Sequence, residues 1–113
     1  MSRILVVEDD DQVRRFVVRV LERSSHEIFQ ASSAGEALEA GSFDLMIVDV
    51  GLPDMSGAEL VRQHWLHAGR PSQVLFMTGY GEHDAAHLPT GASVLRKPFG
   101  VDALVGAVQA LVG

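Results

Sequence analysis

An open, doubly wound parallel sheet of five strands with helices on both faces is the fold this sequence predicts. Three observations carry it. Short apolar runs alternate with apolar residues at helical spacing through all 113 residues, and a βα repeat of that kind implies a parallel sheet. Four of the runs end in polar groups: Glu8-Asp9-Asp10 after Ile4 to Val7, Asp49 after Leu45 to Val48, Thr78 after Val74 to Met77, and Lys97 after Val94 to Arg96. In a parallel sheet those ends share one edge, where ligands bind. The hydrophobic fraction of 47% is enough for a core within a single domain spanning 1–113. Right-handed crossovers favour the strand order 2-1-3-4-5.

The elements follow in order. Ile4 to Val7 is a continuous apolar run, as expected of a strand buried on both faces. Val13, Phe16, Val17, Val20 and Leu21 recur at helical spacing, Asp10 or Asp11 can cap that helix, and Arg14, Arg15 and Arg19 read as a basic stripe on its solvated face. Ile28 to Ala31 is a short second strand. Ser33-Ala34-Gly35-Glu36 fits a capping box ahead of a short second helix. Leu45 to Val48 is the third strand, and Gly51 to Gly57 is a loop by its breakers. Ser56-Gly57-Ala58-Glu59 fits a second capping box, and Leu60, Val61, Trp65 and Ala68 mark a helix that ends near Gly69 and Pro71.

Val74 to Met77 is the fourth strand. A short, weak fourth helix is expected over Glu82 to Leu88, because Gly81, Pro89 and Gly91 interrupt the segment. Ser93 to Arg96 is the fifth strand. A final helix from Val101 to Val112 carries Asp102 as its one charge, so it either packs deeply or offers part of its surface to a partner. His64 and His67 stand at i, i+3 on the third helix; without acidic or cysteine partners the pair reads as a surface coincidence.

Composition excludes several functions. A formal net charge of −6 argues against direct nucleic-acid binding and against an anionic membrane surface. Zero cysteines exclude disulfides and zinc–thiolate sites. The longest apolar stretches are too short to span a bilayer, and a cytoplasmic setting is expected.

The convergent polar groups suit a divalent cation and a phosphoryl group. Asp9 and Asp49 would follow neighbouring strands, with Glu8 and Asp10 close by, and carboxylates this near repel unless a proton or cation relieves them. Mg2+ is a hard ion that takes oxygen ligands and shares phosphate oxygens. Asp49 is the natural nucleophile for an aspartyl-phosphate. Lys97 can neutralise charge, and the Thr78 hydroxyl can donate to phosphoryl oxygens.

These residues, with Gly51-Leu52-Pro53-Asp54-Met55-Ser56-Gly57 after Asp49 and Arg96-Lys97-Pro98-Phe99 near the end, closely resemble the receiver domain of bacterial two-component response regulators. The resemblance implies a flavodoxin-like fold. It implies that Asp49 accepts a phosphoryl group from a phosphohistidine on a histidine kinase or histidine phosphotransfer protein. Asp9, Asp49 and the backbone carbonyl of Gly51 would bind Mg2+ directly, with Glu8 acting through water. Thr78 would be the switch hydroxyl, Lys97 the phosphoryl-pairing lysine, and the Lys97–Pro98 bond cis. The domain would promote its own phosphoryl transfer and slow dephosphorylation rather than turn over a separate substrate. The first helix would offer a docking face for a phosphotransfer helix bundle.

Two departures qualify the resemblance. The position three before the lysine, often aromatic in receivers, is Val94, and Tyr80 sits two residues after Thr78. The segment from Thr78 to Lys97 is short, more like receivers attached to hybrid sensor kinases, so an attached kinase domain or a downstream protein partner is expected. Two other readings are a constitutive binding module that no longer uses phosphate and a small Mg2+-dependent phosphatase; no separate substrate pocket is visible for the latter.

Overall fold

The structure, a computed structural model, describes residues 2–68, 72–79, 88–89 and 91–113. Its strands are β1 (Arg3–Val7), β2 (Glu27–Ala31), β3 (Leu45–Asp49), β4 (Gln73–Thr78) and β5 (Ser93–Arg96). The described helices are α1 (Asp11–Leu21), α2 (Ala34–Glu39), α3 (Gly57–Ala68) and α4 (Val101–Val112). Every strand pair is parallel, and the order is β2-β1-β3-β4-β5, as the βα repeat predicts. Tyr80, residues 82–87 of the expected short helix, and the Gly69 and Pro71 helix stop lie outside the described residues.

Alternation along each strand divides the core in two. Leu5, Val7, Met46, Val48 and Phe76 face α2 and α3, packing with Ala34, Ala37, Leu60 and Val61. Ile4, Val6, Leu45, Ile47, Leu75 and Met77 face α1 and α4, packing with Val17, Leu21, Leu104 and Val108. Central strands buried on both faces read as unbroken apolar runs for this reason. Trp65 packs against the first of these clusters, as its helix position suggests.

The helix starts depart from the expected capping boxes in one respect. Asp10 caps α1, accepting from Gln12 N at 2.9 Å and Val13 N at 3.2 Å. Ser33 and Ser56 each accept from the backbone N–H three residues on, both at 3.2 Å. The returning half of each box is replaced. Glu36 turns instead to the backbone N–H and hydroxyl of Ser32, and Glu59 to Arg62 and Gln63. In each case the carboxylate meets two donors where the box offers one, and Arg62 adds charge.

Two further expectations are corrected, and a third, left open between two readings, is narrowed. Arg14 leaves the solvated stripe: its side chain is only 14% exposed, because its guanidinium turns in toward the end of β1, while Arg15 and Arg19 stay exposed. His64 is buried, with Nε2 2.7 Å from the Gly41 carbonyl oxygen, while His67 is exposed on the same helix. The pair is therefore not a surface coincidence, since the i, i+3 offset straddles the edge of the buried face. The final helix buries Leu104 and Val108 but leaves Val101, Ala103 and Ala110 exposed, so it does not pack deeply all round. No described helix is long and apolar enough to cross a membrane.

Candidate functional site

The site forms where the strand order reverses. β1 pairs with β2 on one side and with β3 on the other, and Val7 lies opposite Val48. The residues that follow, Glu8 and Asp49, therefore emerge side by side at the C-terminal edge of the sheet. Crevices at such a switch point are where open α/β sheets bind ligands. Glu8 is 1% exposed and Asp49 3% exposed. Asp9 is exposed at the rim. Carboxylate oxygens of Glu8, Asp9 and Asp49 lie within 4.8 Å of one another.

Lys97 reaches this cluster from the far side of β4. Its backbone N–H donates to Thr78 O at 2.8 Å, extending the β4–β5 ladder by one residue. Its ammonium then lies 2.8 Å from Asp49 Oδ1 and 2.6 Å from Glu8 Oε1. The Lys97–Pro98 peptide bond is cis. Thr78 is buried at the end of β4, and its hydroxyl donates to the Gly79 carbonyl oxygen at 3.4 Å. Gly51 lies in the exposed turn after β3. The fold thus brings Glu8, Asp9, Asp49 and Lys97 into one cluster, with Thr78 and Gly51 on the same sheet edge.

Electrostatics dominate the cluster. Burial pushes the Glu8 carboxyl above its ordinary value; the Lys97 hydrogen bond opposes this, Asp49 adds to it, and the Asp10 N–H and Lys97 charge oppose it again. Burial also pulls Lys97 down, but its hydrogen bonds and charge pairing with Asp49 and Glu8 win, so its ammonium is held above its ordinary value. Two of the three clustered carboxylates, Glu8 and Asp49, thus share the Lys97 ammonium, and the surplus negative charge calls for a further cation. The donors are hard oxygens, and the exposed Asp9 leaves room for retained waters. This set fits Mg2+.

Two residues that the sequence places only in a motif loop and a capping box support the site through contacts it does not reveal. Asp54 accepts from Ala34 N at 3.1 Å and Gly35 N at 3.0 Å, tying the loop after Asp49 to the start of α2. Those two N–H groups hold its carboxyl below its ordinary value. Gly57 starts α3 hard against β3: a Cβ there would sit 2.5 Å from the Asp49 carbonyl oxygen and 3.0 Å from Val48 Cγ1. The Asp54 contact joins segments about twenty residues apart and Gly57 folds back on the strand eight residues before it, and apolar period announces neither partner.

Residues 4–109 match the family described as response regulator receiver domain. The chain is 33% identical over 115 residues to the response regulator receiver protein CpdR of Brucella abortus (strain 2308), covering 96% of this chain and 95% of that protein. It is 35% identical over 117 residues to the sensor kinase CckA of the same organism, covering 96% of this chain but only 12% of the kinase. The solved structure of the Thermotoga maritima response regulator TrrA, in complex with Mg2+-BeF, superposes with a TM-score of 0.80 at 27% identity, covering 99% of this chain and 100% of that one.

Proposed function

Because the chain belongs to the response regulator receiver domain family, we propose that it works as a phosphorylation-dependent switch in a two-component phosphorelay, with Asp49 as the phosphoacceptor. One observation carries this reading: a buried Asp49 carboxylate held 2.8 Å from the Lys97 ammonium, beside two more carboxylates at the strand switch point.

In the transfer, an Asp49 oxygen forms the new O–P bond as the P–N bond to the partner's imidazole breaks, and the imidazole leaves with the electron pair and takes up a proton. Hydrolysis later returns Asp49 when water attacks phosphorus and the P–O bond breaks. Such chemistry needs positioning and charge neutralisation more than covalent help. Lys97 orients Asp49 and can follow the phosphoryl oxygens. Glu8, Asp9, Asp49 and the Gly51 carbonyl would hold Mg2+, with Glu8 acting through water. When bound, the ion supplies positive charge to the phosphoryl oxygens. The Thr78 hydroxyl exchanges its weak 3.4 Å contact with the Gly79 carbonyl for a phosphoryl oxygen, drawing Thr78 inward and altering a partner-binding face.

The phosphoryl donor is a histidine kinase or histidine phosphotransfer protein, and similarity to CpdR and CckA supports this. The docking face is α1 with the loop after β5. There Val13, Phe16, Pro98 and Phe99 line an apolar recess of about 250 Å³ beside Lys97, with exposed Arg15 and Arg19 on the same helix. The setting is cytoplasmic, and output passes through a protein partner or an attached kinase domain.

Incubation with MgCl2 and acetyl phosphate, followed by intact mass, tests the acceptor. One phosphoryl mass gain is expected on the wild type, and none on Asp49→Asn or without the cation. A gain that survives in Asp49→Asn removes Asp49 from the role. A wild type that takes neither phosphoryl nor beryllofluoride is instead a constitutive binding module.

A further inference from the structure

Arg14 holds the acidic loop from behind. Its Nη1 donates to the Glu8 backbone carbonyl oxygen at 2.8 Å, its Nε to Gln30 Oε1 at 3.0 Å, and its Nη2 pairs with Asp11 Oδ1 at 2.5 Å. Its own backbone N–H donates to Asp10 O at 2.9 Å. The guanidinium thus grips the chain on both sides of Asp9, at Glu8 through its carbonyl and at Asp11 through its carboxylate, while the bond to Asp10 is the first backbone bond of α1. Gln30 ties that grip to β2, whose Ala31 carbonyl accepts from the Glu8 N–H at 3.1 Å.

We infer that Arg14 is a positioning residue for the divalent cation, setting the Glu8–Asp9 bend so that both carboxylates meet Asp49; this rests on the cation reading of the site given above. At Glu8 its guanidinium engages the carbonyl rather than the carboxylate, so it anchors the loop without competing for the oxygens that would face a cation. The arrangement depends on the fork. Three directed donors on a planar guanidinium reach three acceptors on three segments, and a lysine's single ammonium on a flexible stem cannot. The exposed Asp11 ion pair contributes little by itself. The weight falls on the bond to the Glu8 carbonyl, at the root of the acidic loop.

MgCl2 titrated calorimetrically into the full chain tests this, using wild type, Arg14→Lys, Arg14→Gln, Gln30→Leu and Asp9→Asn, with melting temperatures read without divalent cation. Partners that orient metal ligands typically change affinity by 10–100-fold, so both Arg14 variants are expected to bind Mg2+ about 10-fold more weakly. Beryllofluoride should still bind them at saturating MgCl2, which shows that the folded acceptor pocket persists. Gln30→Leu removes one anchor from an exposed strand position and is expected to weaken Mg2+ in the same direction, by less, at unchanged melting temperature. Wild-type affinity in Arg14→Lys would overturn the inference by showing that charge alone suffices. Wild-type affinity in both Arg14 variants would overturn it outright while leaving the cation site standing. A wild type that binds no Mg2+, or an Asp9→Asn variant that binds it unchanged, would overturn the cation reading, and the inference with it.

Discussion

Glu8 shows how one residue is tuned by its surroundings. Its position after an apolar strand marks it as a site residue, but burial decides how readily it ionises. Because its folded value is raised, the folded chain holds that proton more tightly than the unfolded chain does. The associated stability is complete below the ordinary value of 4.5 and is lost as pH rises through the raised value. Without divalent cation, the melting temperature is therefore expected to fall across this window. Glu8→Gln should flatten the fall and melt higher than wild type near neutral pH, as scanning calorimetry between about pH 4 and pH 7 would read. A wild-type profile with the same slope as Glu8→Gln would rule out Glu8 as its source. Lys97 works in the opposite part of the scale: its raised value means that its stabilisation persists below 10.5 and is lost only as pH climbs through the folded value.

Among the elements, the start of α3 packs hard against the backbone of Asp49, the proposed acceptor. Gly57 N donates to Val50 O at 2.8 Å, and a side chain there would meet the Asp49 carbonyl oxygen, which is backbone and cannot rotate aside. Alanine in place of glycine ordinarily gains a helix about 0.5–1 kcal/mol. Overpacking against rigid neighbours costs about 1–3 kcal/mol, so the clash wins. Gly57→Ala is expected to lose about 1–2 kcal/mol in urea unfolding and to label more slowly with acetyl phosphate, because the displaced atom belongs to Asp49 itself. Stability equal to wild type would show that α3 can slide away from β3. Among the described residues, strand and helix positions were legible because apolar period, caps and breakers set them, and boundaries moved by at most three residues; the short helix expected over 82–88 lies outside that comparison. The Glu36 and Glu59 side chains were not, because a capping pattern states which donors are near but not which of several a carboxylate will choose.

At the scale of the whole molecule, the cation proposed for Glu8, Asp9 and Asp49 would tie together β1 and β3, the two strands between which the crossovers reverse. Binding to the folded chain alone raises its stability by mass action, by about 2.7 kcal/mol at a concentration one hundred times the dissociation constant. MgCl2 is therefore expected to raise the melting temperature of the wild type and to leave that of Asp9→Asn unchanged; an equal rise in both would place the ion elsewhere. From the sequence alone came the βα repeat, the sheet order, and the identity of Glu8, Asp9, Asp49, Thr78 and Lys97 as groups on one edge. Each of these follows from local period and from the geometry that any parallel sheet imposes. Tertiary structure alone decided that Arg14 turns inward to the Glu8 carbonyl, that His64 is buried against Gly41, and that Asp54 accepts from the first two N–H groups of α2. Residue type and spacing leave those side chains several possible partners, and only the packing of distant segments selects one.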